Sequence, residues 1–171
     1  VRAFSCLQKP KRRAAAHIED SSMPVNTAAG ARLSIGTKTP ATDAATYAAD
    51  TYVEVGEIEN LGEFGDQVSA ATFTALADRR VRKFKGTYDA GDMTLTLGFD
   101  SGDDGQNALN AALKDAGSDD YNFKVELEDG DVFYFGGKVM SRRIATGAAA
   151  DIVKANVSIA INTAVIEVPA P

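Results

Sequence analysis

The clearest alternation of apolar and polar positions runs through Val81 to Leu113, VRKFKGTYDAGDMTLTLGFDSGDDGQNALNAAL. Met93, Leu95, Leu97 and Phe99 alternate with Thr94, Thr96 and Gly98, the two-residue period of a strand with one buried face. Before it, Asp89-Ala90-Gly91-Asp92 supplies turn residues that tolerate positive φ. After it, DSGDDG breaks the strand, and Asp103 or Asp104 caps a helix whose apolar residues Leu109, Ala112, Leu113 and Ala116 follow the helical spacing. Gly117 is expected to end that helix.

The remaining pattern is mostly that of strands. Leu33 and Ile35 predict a short strand over 31–35, Tyr52–Ile58 a second and Val68–Leu76 another, the last two joined through the Gly-punctuated segment 60–66. Residues 37–50, TKTPATDAATYAAD, have Tyr47 as almost their sole large apolar side chain. They predict a long mobile loop, an arm that orders against a neighbouring subunit. Tyr121, Phe123, Val125 and Leu127 alternate with polar residues, and Asp129-Gly130 is a two-residue hairpin signal leading into Val132–Phe135. That strand is apolar on both faces and needs cover from the core on one side and from the helix or another subunit on the other. Val153–Ile161 alternates again, and Val165–Val168 closes the sheet. The expected architecture is mainly β, an antiparallel β-sandwich or barrel with one flanking α-helix, as a single domain over 23–171.

Composition narrows the chemistry. Of the 171 residues 44% are hydrophobic and 25% charged, ordinary for a folded chain, and no apolar run approaches the roughly 20 residues of a membrane-spanning helix. The net charge of −6 is uneven. Residues 1–22 hold five Lys or Arg against two Asp or Glu, with Lys9, Lys11, Arg12 and Arg13 around Pro10, so the remainder is strongly acidic. The leader lacks the apolar core of a secretory signal and reads as a disordered extension, with a nucleic-acid or nuclear-targeting tail as the sharper alternative. Met23 is the expected start of the folded region and of translation. The one cysteine, Cys6, and the one histidine, His17, both lie in this leader. The folded part is thus left without a disulfide, without the usual general base, and without the residues of nucleophilic triads and most zinc sites.

Other motifs favour plain readings. Arg79, Arg80, Arg82, Lys83 and Lys85 form a cluster that would suit phosphates, yet without interleaved aromatics beyond Phe84 and Tyr88 it reads as a solvated face or the partner of an acidic neighbour. Asp100 to Gly105 resembles a calcium loop only in part, because Gly102 and Ala111 stand where ligands belong. Asn156-Val157-Ser158 matches a glycosylation acceptor but falls inside a predicted strand. Paired carboxylates such as Asp119/Asp120 lie in turns. No catalytic residue, cofactor site or metal site is expected.

The run from about Val55 through Val168 resembles the major tail tube proteins of long-tailed bacteriophages and related prophage or gene-transfer particles. The matching text is VSAATFTAL, FKGTYDAGDMTLTLGFD, the helix DDGQNALNAAL, the hairpin YNFKVELEDGDVFYFGGKV and the closing IVKANVSIAIN. The resemblance implies six subunits per ring, rings stacked into a hollow tube that carries DNA, and tape-measure, tail-tip and tail-terminator partners. It implies a location in the virion tail after assembly in the host cytoplasm, with no enzymatic activity. An acidic wall suits this role, since lysines along a bore would bind passing phosphates. The residues expected at inter-subunit contacts are Thr37, Pro40, Tyr47, Tyr52, Phe64, Arg79, Arg80 and Arg82. Two other readings stand beside this one: a monomeric β-sandwich binding or adhesion module, and the tube of a contractile or type VI secretion system.

Overall fold

The computed structural model describes residues 27–76 and 80–170; the basic leader, Met23 and Arg79 lie outside them. The elements in chain order are β1 (Arg32–Ile35), α1 (Ala44–Ala48), β2 (Val53–Val55), β3 (Ile58–Asn60), β4 (Gln67–Thr74), β5 (Val81–Asp89), β6 (Asp92–Gly98), α2 (Asp104–Lys114), β7 (Tyr121–Glu126), β8 (Val132–Ala145), β9 (Lys154–Ile161) and β10 (Ile166–Val168). The main sheet has the order β2-β1-β7-β8-β9-β6-β3, with β10 added to β8, and its pairings are antiparallel. Strands β4 and β5 form a separate two-stranded sheet.

The order of the main sheet explains its shape. Strands β2 and β3 stand at opposite ends of the ladder, yet only Gly56 and Glu57 separate them in sequence. Two intervening residues span at most about 11 Å between Val55 and Ile58, so the ladder curls until its ends lie side by side, as in a barrel. The link needs an unusual backbone, and Glu57 adopts a left-handed φ of 57°, a conformation that a side chain tolerates at some cost. The strand expected over Tyr52–Ile58 is thereby two strands on opposite edges.

Helix α2 sits against that junction. Asp103 is its N-cap, accepting the Gln106 amide at 2.6 Å and the Gly56 amide at 3.3 Å, so one carboxylate caps the helix and pins the link. The Gln106 side chain is fully buried and satisfied, donating to the Gly98 carbonyl at 2.8 Å and accepting from the Asp100 amide at 3.2 Å. Gly105 has a packing reason to be glycine: a Cβ there would lie 2.1 Å from the Glu54 carbonyl oxygen. The segment 100–105 is thus a capping turn, and among the described residues no acidic, histidine or cysteine group is arranged to hold a metal. Asn156 lies in β9 and accepts from the Thr96 hydroxyl across the sheet.

The alternating residues fill the interior as their period requires. Leu33, Ile35, Met93, Leu95, Leu97, Leu109, Phe123, Phe135, Val157 and Ile159 are buried in one cluster, and Phe123 stacks on Phe135 at 5.4 Å. The hairpin near Gly130 is longer than two residues: Glu126 pairs with Val132, and Leu127 donates to the Asp131 carbonyl across the loop. Strand β8 continues ten residues past Phe135, to Ala145, because its outer half pairs with β9 after its inner half pairs with β7.

The largest departure from expectation is segment 37–50. It is ordered and docked on its own chain. Asp43 and Thr46 form a reciprocal capping box on α1, a second helix where a loop is expected. Tyr47 is 1% exposed. Its ring and that of Tyr52 lie against Tyr134, so the second face of the Val132–Phe135 strand is covered by this segment.

Candidate assembly site

The hairpin of β4 and β5 stands away from the barrel. Every described residue of β5 is exposed, and all of β4 except the half-buried Val68. Its register pairs Ala71 with Phe84, Thr72 with Lys83, Phe73 with Arg82 and Thr74 with Val81. Because side chains alternate along each strand, Ala71, Phe73, Arg82 and Phe84 share one face while Thr72, Thr74, Val81, Lys83 and Lys85 share the other. A bulge between Val68 and Ala70 is held by Ser69, whose hydroxyl accepts the Thr87 amide at 3.1 Å and lies 2.9 Å from the Thr87 hydroxyl. Bulges increase local twist and re-aim a strand.

Chemically the hairpin differs from the body it leaves. Residues 67–89 hold five Lys or Arg against two Asp, whereas the rest of 23–171 holds eight Lys or Arg against twenty Asp or Glu. Phe73 and Phe84 are 55% and 56% exposed, and Leu76, Val81 and Tyr88 are also open to solvent. A two-stranded hairpin is marginal by itself in water, and an apolar face this open ordinarily marks an interaction surface.

The residues expected at inter-subunit contacts are divided by the structure. Arg80 and Arg82 lie on the hairpin, where both are exposed. Thr37 and Pro40 are exposed on the body, and Thr37 is tied to it, its hydroxyl donating to Asp50 at 2.6 Å and its amide at 2.9 Å. Tyr47 is buried. Tyr52 is half-buried and donates to the Tyr47 carbonyl at 2.9 Å, its hydroxyl pKa pushed up chiefly by burial and then by Asp50. Phe64 packs edge-on against Phe133 at 5.4 Å within its own chain. Of the aromatic residues exposed on the hairpin, Phe84 and Tyr88 were noted in the sequence only as neighbours of the cation cluster, and Phe73 was not singled out. Their signal was available: an alternating strand pair with cations at positions that a buried strand would fill with apolar residues.

Two carboxylates fix the body on either side of β7 and β8. Burial would raise the pKa of Asp50, but hydrogen bonds from the Thr37 hydroxyl, the Asn122 amide and the Thr37 and Thr51 backbone outweigh it and hold it low. Asp120 is likewise held below its usual value: burial opposes, and Lys138 and Asn162 prevail. Each carboxylate thus ties separate segments of the chain together, Asp50 joining Thr37 and Thr51 to Asn122 and Asp120 joining Lys138 to Asn162.

Comparison with known proteins agrees with this geometry. The profile of the family described as Lambda phage tail tube protein, TTP, matches residues 34–165. No curated protein matches the chain at the sequence level. Among solved structures, a chain of the anti-feeding prophage (AFP) baseplate superposes with a TM-score of 0.66 at 8% identity, covering 86% of this chain and 97% of its own. A chain of the native gene transfer agent (GTA) virion gives 0.56 at 13% identity, covering 80% of this chain and 95% of its own. The SPP1 tail tube gives 0.55 at 13% identity, covering 82% and 77%. At these identities the superpositions show a common fold, while the profile spans most of the chain. This chain belongs to the lambda phage tail tube protein family, and it is a structural tail protein.

Proposed function

We propose that the chain polymerises as rings of six subunits stacked into a hollow tube through which DNA leaves the particle. The observation that carries this is the hairpin 67–89: a two-faced, cationic, aromatic projection on an acidic barrel whose own core is already filled. Such a projection gains cover only from another molecule, and a surface that meets a different surface on an identical copy generates rings or open filaments. Six-fold symmetry is taken from the likeness to the anti-feeding prophage baseplate chain, which was determined with that symmetry. Tape-measure, tail-tip and tail-terminator proteins are the partners at the tube's length and ends. Assembly takes place in the host cytoplasm, and the tube acts as a passive conduit without catalysis.

The arm of this assembly is the hairpin, in place of segment 37–50. Replacing residues 68–88 by a short Gly-Ser link is expected to leave a folded monomer by circular dichroism and sedimentation, with no rings or tubes by negative-stain microscopy at concentrations where the intact chain forms them. Tubes of normal appearance from the shortened chain, or an intact chain that stays monomeric at high concentration, would end this reading.

A further inference from the structure

We propose that the hairpin of one subunit is received by the opposite end of the barrel in a second copy, at the connection between β8 and β9, and that opposite charge sets the direction of the contact. The inference rests on the tube reading above and names the receiving surface. The hairpin leaves the barrel at the end where Asp92 pairs with Ala160, since Asp89 ends β5 three residues earlier. At the far end of the same ladder Gly98 and Ala145 both pair with Lys154, and residues 146–153 join the two strands. The two ends are about 20 Å apart along β6. With the hairpin extended beyond its own barrel, copies laid end to end bring hairpin and connection together.

The far end has the complementary chemistry. Phe99, Ile144 and Ile152 are 38%, 50% and 75% exposed there. The Phe99 amide donates to the Val153 carbonyl at 2.9 Å, which places that ring beside the connection. Ala145, Gly147, Ala150 and Ile152, with Asp151 and Lys154 beside them, line an open hollow of 380 Å³, large enough to take a Phe or Leu side chain. The exposed carboxylates Glu57, Asp100, Asp104 and Asp151 belong to the segments that meet at this end. Of the cations nearby, Lys154 is held by Glu59 at 2.6 Å and Arg142 lies over the Phe99 ring, which leaves Arg143 exposed. Apolar side chains within an acidic rim match the hairpin face on which Val81 lies beside Lys83 and Lys85, with Leu76 and Arg80 exposed next to it. Because the two surfaces differ, the contact cannot pair a copy with itself, and it propagates in one direction.

The test uses the full chain with Cys6→Ala, so that introduced cysteines are the sole thiols. Leu76→Cys with Ile152→Cys, assembled and treated with a short bismaleimide, is expected to give a ladder of covalent multimers on a denaturing gel. Leu76→Cys with Glu128→Cys, on the β7–β8 loop, is expected to give none. In parallel, Lys83→Glu/Lys85→Glu and Asp100→Lys/Asp151→Lys are each expected to raise the critical concentration for tubes about tenfold or more, and the two pairs combined to bring it back toward the original. Tubes that form without the Ile152 ladder, or a combined variant no better than either pair alone, would overturn the receiving surface while leaving the tube reading intact. A parent chain that forms no tubes would overturn both.

Discussion

The ring of Tyr47 lies stacked on that of Tyr134, with centroids 5.6 Å apart and planes 18° from parallel. The Tyr47 hydroxyl is 3.3 Å from the Thr163 hydroxyl, and Asn122 donates from beneath to the Thr39 carbonyl and to Asp50. Segment 37–50 is thereby a fixed lid over β8.

Removing the Tyr47 ring should therefore damage the fold. Tyr47→Ala is expected to lower unfolding free energy by about 3–5 kcal/mol, the range for deleting a buried aromatic side chain. Tyr47→Phe keeps the stack and should cost less than about 1 kcal/mol. Urea unfolding of the two variants checks this. Deleting residues 37–50 should unfold the subunit, the reverse of what its small side chains suggest.

Acid should loosen the same lid. The Asp50 pKa is lower folded than its ordinary value of 3.8, so its contribution is fully present above that value and is lost as pH falls through the lower folded one. Asp50→Asn should be less stable than the parent at neutral pH. The gap between them should shrink as pH falls below 3.8 and through the lower folded-state value, which urea titrations at several pH values would show.

Gly105→Ala gives a test in which helix propensity and packing disagree. Alanine is better than glycine inside a helix by about 0.8–1.0 kcal/mol. Here the added methyl would meet the Glu54 carbonyl oxygen at 2.1 Å and the Val55 Cα at 2.5 Å, both backbone, so the exchange is expected to destabilise by about 1–3 kcal/mol. A rise in melting temperature would show that α2 can move off β2 freely.

Proteolysis should report the state of the hairpin. Within the folded part of free subunits trypsin is expected to cut first at Arg80, Lys83 or Lys85, which are exposed on a marginal two-stranded element. In assembled tubes the same sites should be protected by at least tenfold in rate, as read by mass spectrometry. Equal cleavage in both states would mean that the hairpin stays outside the contact.

Much of the barrel was legible because its strands alternate cleanly. Met93 to Leu97 and Ala155 to Ile161 each place one face inside, and Asp103 announced the helix it caps. Segment 37–50 was misread because its anchoring is one aromatic ring and a set of hydrogen bonds from Asp43, Thr46 and Asp50, which leave no apolar period. The separation of the hairpin from the main sheet was hidden for the opposite reason. Val68–Leu76 and Val81–Tyr88 look like ordinary sheet strands, and nothing local to them says that they pair only with each other. The break at Gly56-Glu57 is likewise a fact of topology, since YVEVGEI reads as one continuous strand until its halves are seen on opposite edges.

That two-residue break bears on how such a chain survives its own abundance. A flat sheet with open margins would, in a crowded cell, stick to any passing copy in any register. Curling β2 round toward β3 brings those margins close to each other through the link at Gly56-Glu57. The projecting hairpin keeps open edges of its own, and there the bulge and the lysines discourage chance pairing.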